Sequence, residues 1–287
     1  MKRKTFIGFV APSVILMVAL LIIPLVVAIA LGFQSFTYLT LNARKFVGLE
    51  NYQSILLDSR FWQAVRFTFL IIVIVTPLEM IIGSIVALLL DQIPKGRRGI
   101  FVSLCLTTYV SVPIVAAYMF RGLFQSDGLG TWIIEQVTGQ HLIMNEFAVK
   151  MLILAYGVWR DTPFVIIIVF AGLQSLSLEY LDAAAIDGAN RLQQIRHVTI
   201  PHLAPLLMLI AMIVIMAKYQ LFDAIFVLTG MNPIYHADTI MAYNWRTAME
   251  LEQLGKANAM SILTVGGLMI VLIPFLVRTW RSQTRER

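Results

Sequence analysis

The sequence predicts an all-α polytopic membrane protein with six membrane-spanning helices and both termini in the cytoplasm. Three observations predict it: an apolar composition, apolar runs of spanning length, and the placement of Lys and Arg between those runs. Of 287 residues, 59% are hydrophobic and 13% charged, and the mean hydropathy is +0.81. Soluble domains carry roughly 25% charged residues. A soluble core of this length cannot hold so much apolar surface, so the excess points to lipid.

A hydrocarbon core of about 30 Å calls for about 20 apolar residues in a helix. Six segments reach that length: Phe6–Phe33, Arg66–Leu90, Ile100–Phe124, Val149–Leu173, Leu203–Leu228 and Asn258–Val277. The last is weakest at its start, where Asn258 and Ser261 are polar. The first follows Lys2, Arg3 and Lys4 and contains Ala28-Ile29-Ala30, the small-x-small form of a signal cleavage site. Its apolar stretch far exceeds the roughly 7–15 residues of a signal core, which favours an uncleaved span.

Orientation follows from the 22 Lys and Arg residues. With the N-terminus in the cytoplasm, twelve lie inside: Lys2, Arg3, Lys4, Lys95, Arg97, Arg98, Arg191, Arg196, Arg278, Arg281, Arg285 and Arg287. Five lie outside (Arg44, Lys45, Arg60, Arg246, Lys256), and five lie in or at the edges of spans. Positive charge collects on the cytoplasmic side. The same distribution argues against nucleic acid as a partner of the net +6 chain, because the basic residues sit at the ends of apolar runs rather than in one patch.

The connections divide the chain into a first span with an external loop (1–64), a five-span core (65–278) and a short basic tail (279–287). Within the external loop, "FVGLENYQSILLDSRFWQAV" has the periodicity of a short surface helix. One cysteine, Cys105, excludes a disulfide framework and a cysteine-based metal cluster. His141, His197, His202 and His236 include no pair at the i, i+4 spacing of a helical metal site. Paired broken helices in two halves, the mark of an inverted-repeat carrier, are not evident.

Several polar residues fall inside spans, where a charge costs about 2.5–3.5 kcal/mol on insertion scales and is usually turned inward. Arg160 and Asp161 sit in the fourth span beside Trp159 and before Pro163; Lys218, Tyr219, Gln220 and Asp223 give the fifth a partly polar face. Tyr118 and Asn258 are further candidates in the third and sixth. One reading is a water-filled cavity for a polar solute, with aromatic faces for a pyranose ring and polar groups for its hydroxyls. The other is a set of interhelical ion pairs, and Glu79, near Pro77 in the second span, suits that second reading.

Between the fourth and fifth spans runs "EYLDAAAIDGANRLQQIRHVTIP", Glu179 to Pro201. Ser177 is a suitable N-cap, Glu179 suits the positive end of the helix dipole, and Gly188 can end the helix in a left-handed conformation. A second short helix, about Asn190–Val198, carries Arg191, Gln194 and Arg196, and Pro201 is expected to stop it and reset the chain direction. An amphipathic loop lying on the inner leaflet and a docking element for another protein are both compatible with these residues.

The stretch resembles the Glu-Ala-Ala signature of permease subunits of bacterial ABC importers. In that family, Glu-Ala-Ala is followed after three residues by Gly and after nine more by Ile-x-Leu-Pro. Here Asp182-Ala183-Ala184, Gly188 and Val198-Thr199-Ile200-Pro201 hold those intervals. Asp182 stands for Glu, and Val198 and Ile200 for Ile and Leu. "AAAIDGA" and "TIPHLAP" resemble the carbohydrate-uptake branch, with maltose-type and glycerol-3-phosphate-type permeases. Near-full-length likeness extends through "FVAPSVILMVALLIIPL", "VWRDTPFVIIIVFAGLQSL" and "FDAIFVLTGMNP".

The resemblance implies a type I ABC importer permease fold, in which the loop at about 175–202 is a coupling helix docked on a cytoplasmic ATPase. Glu179, Asp182, Ala183, Ala184, Asp187, Gly188, Arg191 and Pro201 are then the coupling residues. It also implies a second homologous permease, a dimer of ATPase subunits and an extracytoplasmic solute-binding protein. ATP and Mg²⁺ belong to the ATPase, since this chain has no G-x-x-x-x-G-K-[ST] loop, and it needs no cofactor or metal of its own. The expected solute is a neutral mono- or oligosaccharide, with glycerol 3-phosphate or another polyol phosphate as the alternative. From a different class, an ion-coupled carrier would relay protons through Asp161 and Asp223. An intramembrane enzyme would need catalytic groups on facing spans, and no convincing pair is present.

Overall fold

Lipid offers backbone N–H and C=O groups no partners, so apolar runs of this length fold as helices. The computed structural model describes residues 3–125, 127–139 and 143–285; Lys2, His141 and Arg287, invoked above, lie outside them. The helices are α1 (Arg3–Gly32), α2 (Glu50–Leu56), α3 (Ser59–Gln92), α4 (Lys95–Val110), α5 (Pro113–Phe124), α6 (Leu129–Thr138), α7 (Glu146–Leu173), α8 (Leu178–Ile186), α9 (Arg191–Gln194), α10 (Ile200–Tyr219), α11 (Asp223–Thr229), α12 (Ile240–Met249) and α13 (Leu254–Arg285). Among the described residues, five helical stretches are long and apolar enough to span a membrane, six if the bent pair α4–α5 counts as one.

Two expected spans and one expected helix stop differ from the observed helices. The third is broken: α4 and α5 meet at 95°. Pro113 forces the preceding residue out of the helical region, and Ser111 and Val112 are extended. The Pro113 carbonyl at the bend accepts from the Tyr156 hydroxyl at 2.9 Å. The fifth ends at Tyr219 rather than Leu228, and α11 starts afresh at Asp223. No Gly or Pro marks this break; the Leu221 carbonyl within it accepts from Thr239 Oγ1 at 2.6 Å. Pro201 does not stop a helix. A π-helical turn, Ile195–Thr199, leads from α9 into α10, and Pro201 sits in the first turn of α10 directly behind it, where the irregular turn accommodates the proline.

Two compact units divide these residues. The first combines the chain up to Trp62 with Tyr243–Met269. In it, strands β1 (Gln34–Ser35) and β2 (Lys45–Phe46) pair antiparallel, and the expected surface helix is α2. Asn51 is buried and donates to the carbonyls of Gly32 and Gln34, both at 2.9 Å. A side chain at Gly255 would collide with the Gln34 carbonyl. Along α1, an apolar 18-residue window has no buried residue.

The second unit holds Gln63–Ala242 and the end of α13. Its core is Ala87 from α3, Val165, Val169 and Leu173 from α7, and Leu203, Ile210 and Val214 from α10. Helix α4 packs on α7, and α11 on α5 and α7.

In the first unit, Asp58 accepts from the Tyr243 hydroxyl at 2.5 Å and lies 3.5 Å from the Lys256 ammonium. Partial burial pushes its carboxyl up, but the Tyr243 hydroxyl, the Arg60 amide and Lys256 outweigh burial and hold it below the usual carboxylate range. The unfolded chain then binds the proton more readily than the folded one. The contribution is fully present above about pH 4 and is lost as pH falls through the lower, folded value. Thermal unfolding of Tyr243→Phe in detergent is expected to show a smaller stability loss between pH 5 and 3 than the parent; an identical pH profile refutes this role.

Candidate functional site

The site begins with charges that lipid cannot hold alone. Lys218, in the last turn of α10, is 1% exposed. Its ammonium contacts Glu79 of α3 at 2.6 Å and Asp161 of α7 at 2.5 Å. The Glu79 side chain is fully buried. Asp161 is also bonded to Arg160 Nη1. Adjacent helical residues project about 100° apart, but the long Arg160 side chain folds back to reach its neighbour. Two cations and two carboxylates thus join three helices.

Beside this network lies a cavity of about 180 Å³, walled by α4, α7, α10 and α11. Tyr109 and Phe164 stack on each other in its wall, 5.7 Å between centroids and 29° between planes, and the Arg160 guanidinium carbon is 5.8 Å from the Tyr109 ring centre. Of the expected cavity residues, Arg160, Asp161, Lys218, Gln220 and Asp223 line it.

Four others sit elsewhere. Tyr118 is exposed on α5, away from the buried Ala116, Ala117 and Phe120. Trp159 packs on Phe120 and Tyr156, with centroids at 5.4 and 6.2 Å. Tyr219 is buried but is not a wall of this cavity. Asn258 belongs to the first unit, where its amide donates to the Leu254 carbonyl at 2.8 Å. Tyr156 and Phe164 were not singled out from sequence, because an aromatic residue on an apolar helix carries no local mark of facing a cavity.

The loop after α7 is the second element. Ser177 caps α8, its hydroxyl accepting from the Glu179 N–H at 3.3 Å. The helix closes with the Ala189 N–H on the Ala184 carbonyl and the Gly188 N–H on the Ala185 carbonyl, at 2.9 and 3.0 Å. This is a Schellman closure, and Gly188 adopts the left-handed φ of 85° that it requires. Asn190 then caps α9 in a reciprocal pair with Gln193. Glu179, Asp182, Ala183, Asp187 and Arg191 are exposed, and Ala184 is partly so. Ile186 is 87% exposed, with Leu178, Tyr180 and Leu192 also outward.

The start of this loop is anchored. Arg98 Nη2 donates to the Asp91 carbonyl at 2.6 Å and Nη1 to Gln174 Oε1 at 3.2 Å, while Gln174 Nε2 donates to Asp91 Oδ1 at 2.7 Å. The Arg98 guanidinium lies 5.2 Å from the Phe170 ring centre. The turn between α3 and α4 is thereby tied to the end of α7.

The model of one family matches most of the chain, residues 79–282: "Binding-protein-dependent transport system inner membrane component". The chain belongs to this family. Along its full length this permease is 32% identical to the probable ABC transporter permease protein y4oQ of Sinorhizobium fredii, covering 93% of that protein. It is 26% identical to the trehalose transport system permease protein SugA of Mycobacterium tuberculosis, over 96% of this chain and 88% of SugA. It is 30% identical to the trehalose/maltose transport system permease protein MalF of Thermococcus litoralis, over 77% and 75% of the two chains. Among solved structures, a chain of a bacterial ABC transporter involved in the import of alginate shares the fold, with a TM-score of 0.80 at 16% identity over 97% of this chain and 96% of that one.

The ion network makes a testable claim. Lys218→Ala leaves Glu79 with no contacting cation and Asp161 with Arg160 alone, and breaking a buried pair costs about 3–5 kcal/mol. Thermal unfolding of the purified protein is expected to show that loss, with most of it recovered when Lys218→Met is combined with Glu79→Met. A single variant as stable as the parent refutes the claim.

Proposed function

We propose that this chain is the transmembrane permease subunit of an ATP-driven importer that moves a mono- or oligosaccharide into the cytoplasm by alternating access. Both termini and the Leu178–Pro201 loop face the cytoplasm, where α8 docks on a separate ATPase that holds ATP and Mg²⁺. A solute-binding protein delivers the sugar from outside, and a second homologous permease completes the path.

One observation carries this reading: the helices on either side of the α8 loop are also walls of the charged cavity. Helix α7 supplies Arg160, Asp161 and Phe164, and α10 supplies Ile213, Val214 and Lys218. A displacement applied at α8 therefore acts on two cavity walls through continuous helices, and the Asp91–Arg98–Gln174 anchor passes it to the α3–α4 turn. The exposed Leu178, Tyr180, Ile186 and Leu192 give a docking partner apolar surface to cover, and exposed apolar patches of this kind mark interaction sites. Sugar as cargo is supported by the trehalose and maltose permeases among the relatives and by the Tyr109–Phe164 stack beside polar groups.

Two features support a second permease. A cavity of about 180 Å³ is below the roughly 300–1,000 Å³ of sites that enclose a drug-sized ligand, so another chain has to supply walls for an oligosaccharide. The unburied window of α1 also needs lipid or a neighbouring chain to cover it. A proton relay through Asp161 is disfavoured, because two cations hold that carboxylate.

In proteoliposomes containing the assembled complex, ATP hydrolysis is expected to rise with sugar-loaded binding protein. Uptake that persists without the ATPase and collapses with the proton gradient would sink the proposal. Gly188→Val is expected to leave membrane insertion intact, since a side chain there meets no neighbour within 4 Å. The left-handed backbone costs a residue with Cβ roughly 1–2 kcal/mol, so ATP-driven uptake should fall about tenfold. Normal uptake by that variant would remove α8 from the coupling route.

A further inference from the structure

The charges of the cavity are not equivalent. Lys218 is held between Glu79 and Asp161, and Arg160 is bonded to Asp161. Both cations are therefore engaged with carboxylates of the protein itself. Asp223 is different. It lines the same cavity and is half-buried, yet among the described residues no hydrogen bond or ion pair reaches it.

The backbone break is what brings it there. In an unbroken helix Asp223 would lie about 140° around the axis from Lys218, off the cavity face. The interruption at Gln220–Phe222 ends α10 and restarts the chain with Asp223 as the first residue of α11. A carboxylate in a largely apolar body is costly unless water or a ligand solvates it; the first turn of α11 suits its charge, and its hydrogen-bonding capacity is left to whatever enters the cavity. The adjoining Tyr109–Phe164 stack suits the apolar face of a sugar ring whose hydroxyls a carboxylate can accept.

We propose that Asp223 is a specificity-determining acceptor of this cavity. It takes hydrogen bonds from the hydroxyl or ammonium groups of a neutral or amine-bearing sugar, and it repels uronates and sugar phosphates. The proposal rests on the reading of the cavity as the sugar path. It separates this cavity from one built for an acidic polysaccharide, and it selects the neutral sugar over the polyol phosphate.

The test is equilibrium binding to the assembled transporter in nanodiscs with the solute-binding protein left out, so that the receptor's own selectivity does not contribute. The probes are glucose, glucosamine, glucuronate and glucose 6-phosphate, which share a ring and differ in charge. The parent is expected to bind glucosamine most tightly and both anions at least about fivefold more weakly than glucose, the effect of one unit charge about 4 Å away even at the dielectric of water. Asp223→Asn should lower the glucosamine-to-glucose affinity ratio about fivefold, whatever its effect on overall affinity. Asp223→Glu should keep the ratio, and Asp223→Lys should admit glucuronate. An unchanged ratio in Asp223→Asn, or a parent that binds glucuronate as tightly as glucose, overturns the proposal while leaving the sugar path intact. Binding of none of the four probes, nor of the disaccharides trehalose and maltose, by a complex that still hydrolyses ATP overturns the sugar path itself, and the role of Asp223 with it.

Discussion

The architecture of the second unit turns on the Lys218 ammonium. It lies between Glu79 and Asp161 at the junction of α3, α7 and α10, where a lone charge would be expelled toward water. Apolar contacts such as those of Val165, Val169 and Ile210 are non-directional and tolerate small shifts of one helix against another. An ammonium shared by two carboxylates tolerates much less, because a displacement leaves a charge unpaired in a medium that does not screen it. The network thus sets the register of three helices at the level of the cavity.

That arrangement gives the α8 loop its mechanical meaning. Helix α8 is small-bodied and exposed, and it is closed at both ends by its own bonds: the Ser177 cap and the Schellman closure at Gly188. It can act as a rigid lever without depending on the rest of the chain for its shape. What it moves is decided by its neighbours, since α7 and α10 run from the loop to the ion network and the cavity.

Element by element, the legible parts of the fold were those marked by local chemistry. Ser177 and Gly188 announce helix ends through capping and left-handed backbone, and each takes its expected role; Asn190, expected as the first residue of the second short helix, caps it instead. The Glu50–Leu56 helix followed from periodicity. The break at Gln220–Phe222 has no such mark: "KYQLFDAIF" reads as continuous helix, and only tertiary bonds such as Thr239 to the Leu221 carbonyl reveal the interruption. Pro201 misled in the opposite direction, because a π-helical turn absorbed it.

The sequence by itself determined the class of molecule, the approximate spans, the α8 signature and the presence of charges within the bilayer. These rest on composition, run length and short-range spacing, which the chain carries locally. Only the tertiary structure decided which charges are paired. Glu79, Asp161 and Lys218 come from three distant segments, and their partnership depends on helix rotation and depth rather than on neighbours in the chain. Among the described residues the same geometry leaves Asp223 without a cation and lining the cavity, because long-range packing determines whether a carboxylate is neutralised or left to meet a ligand.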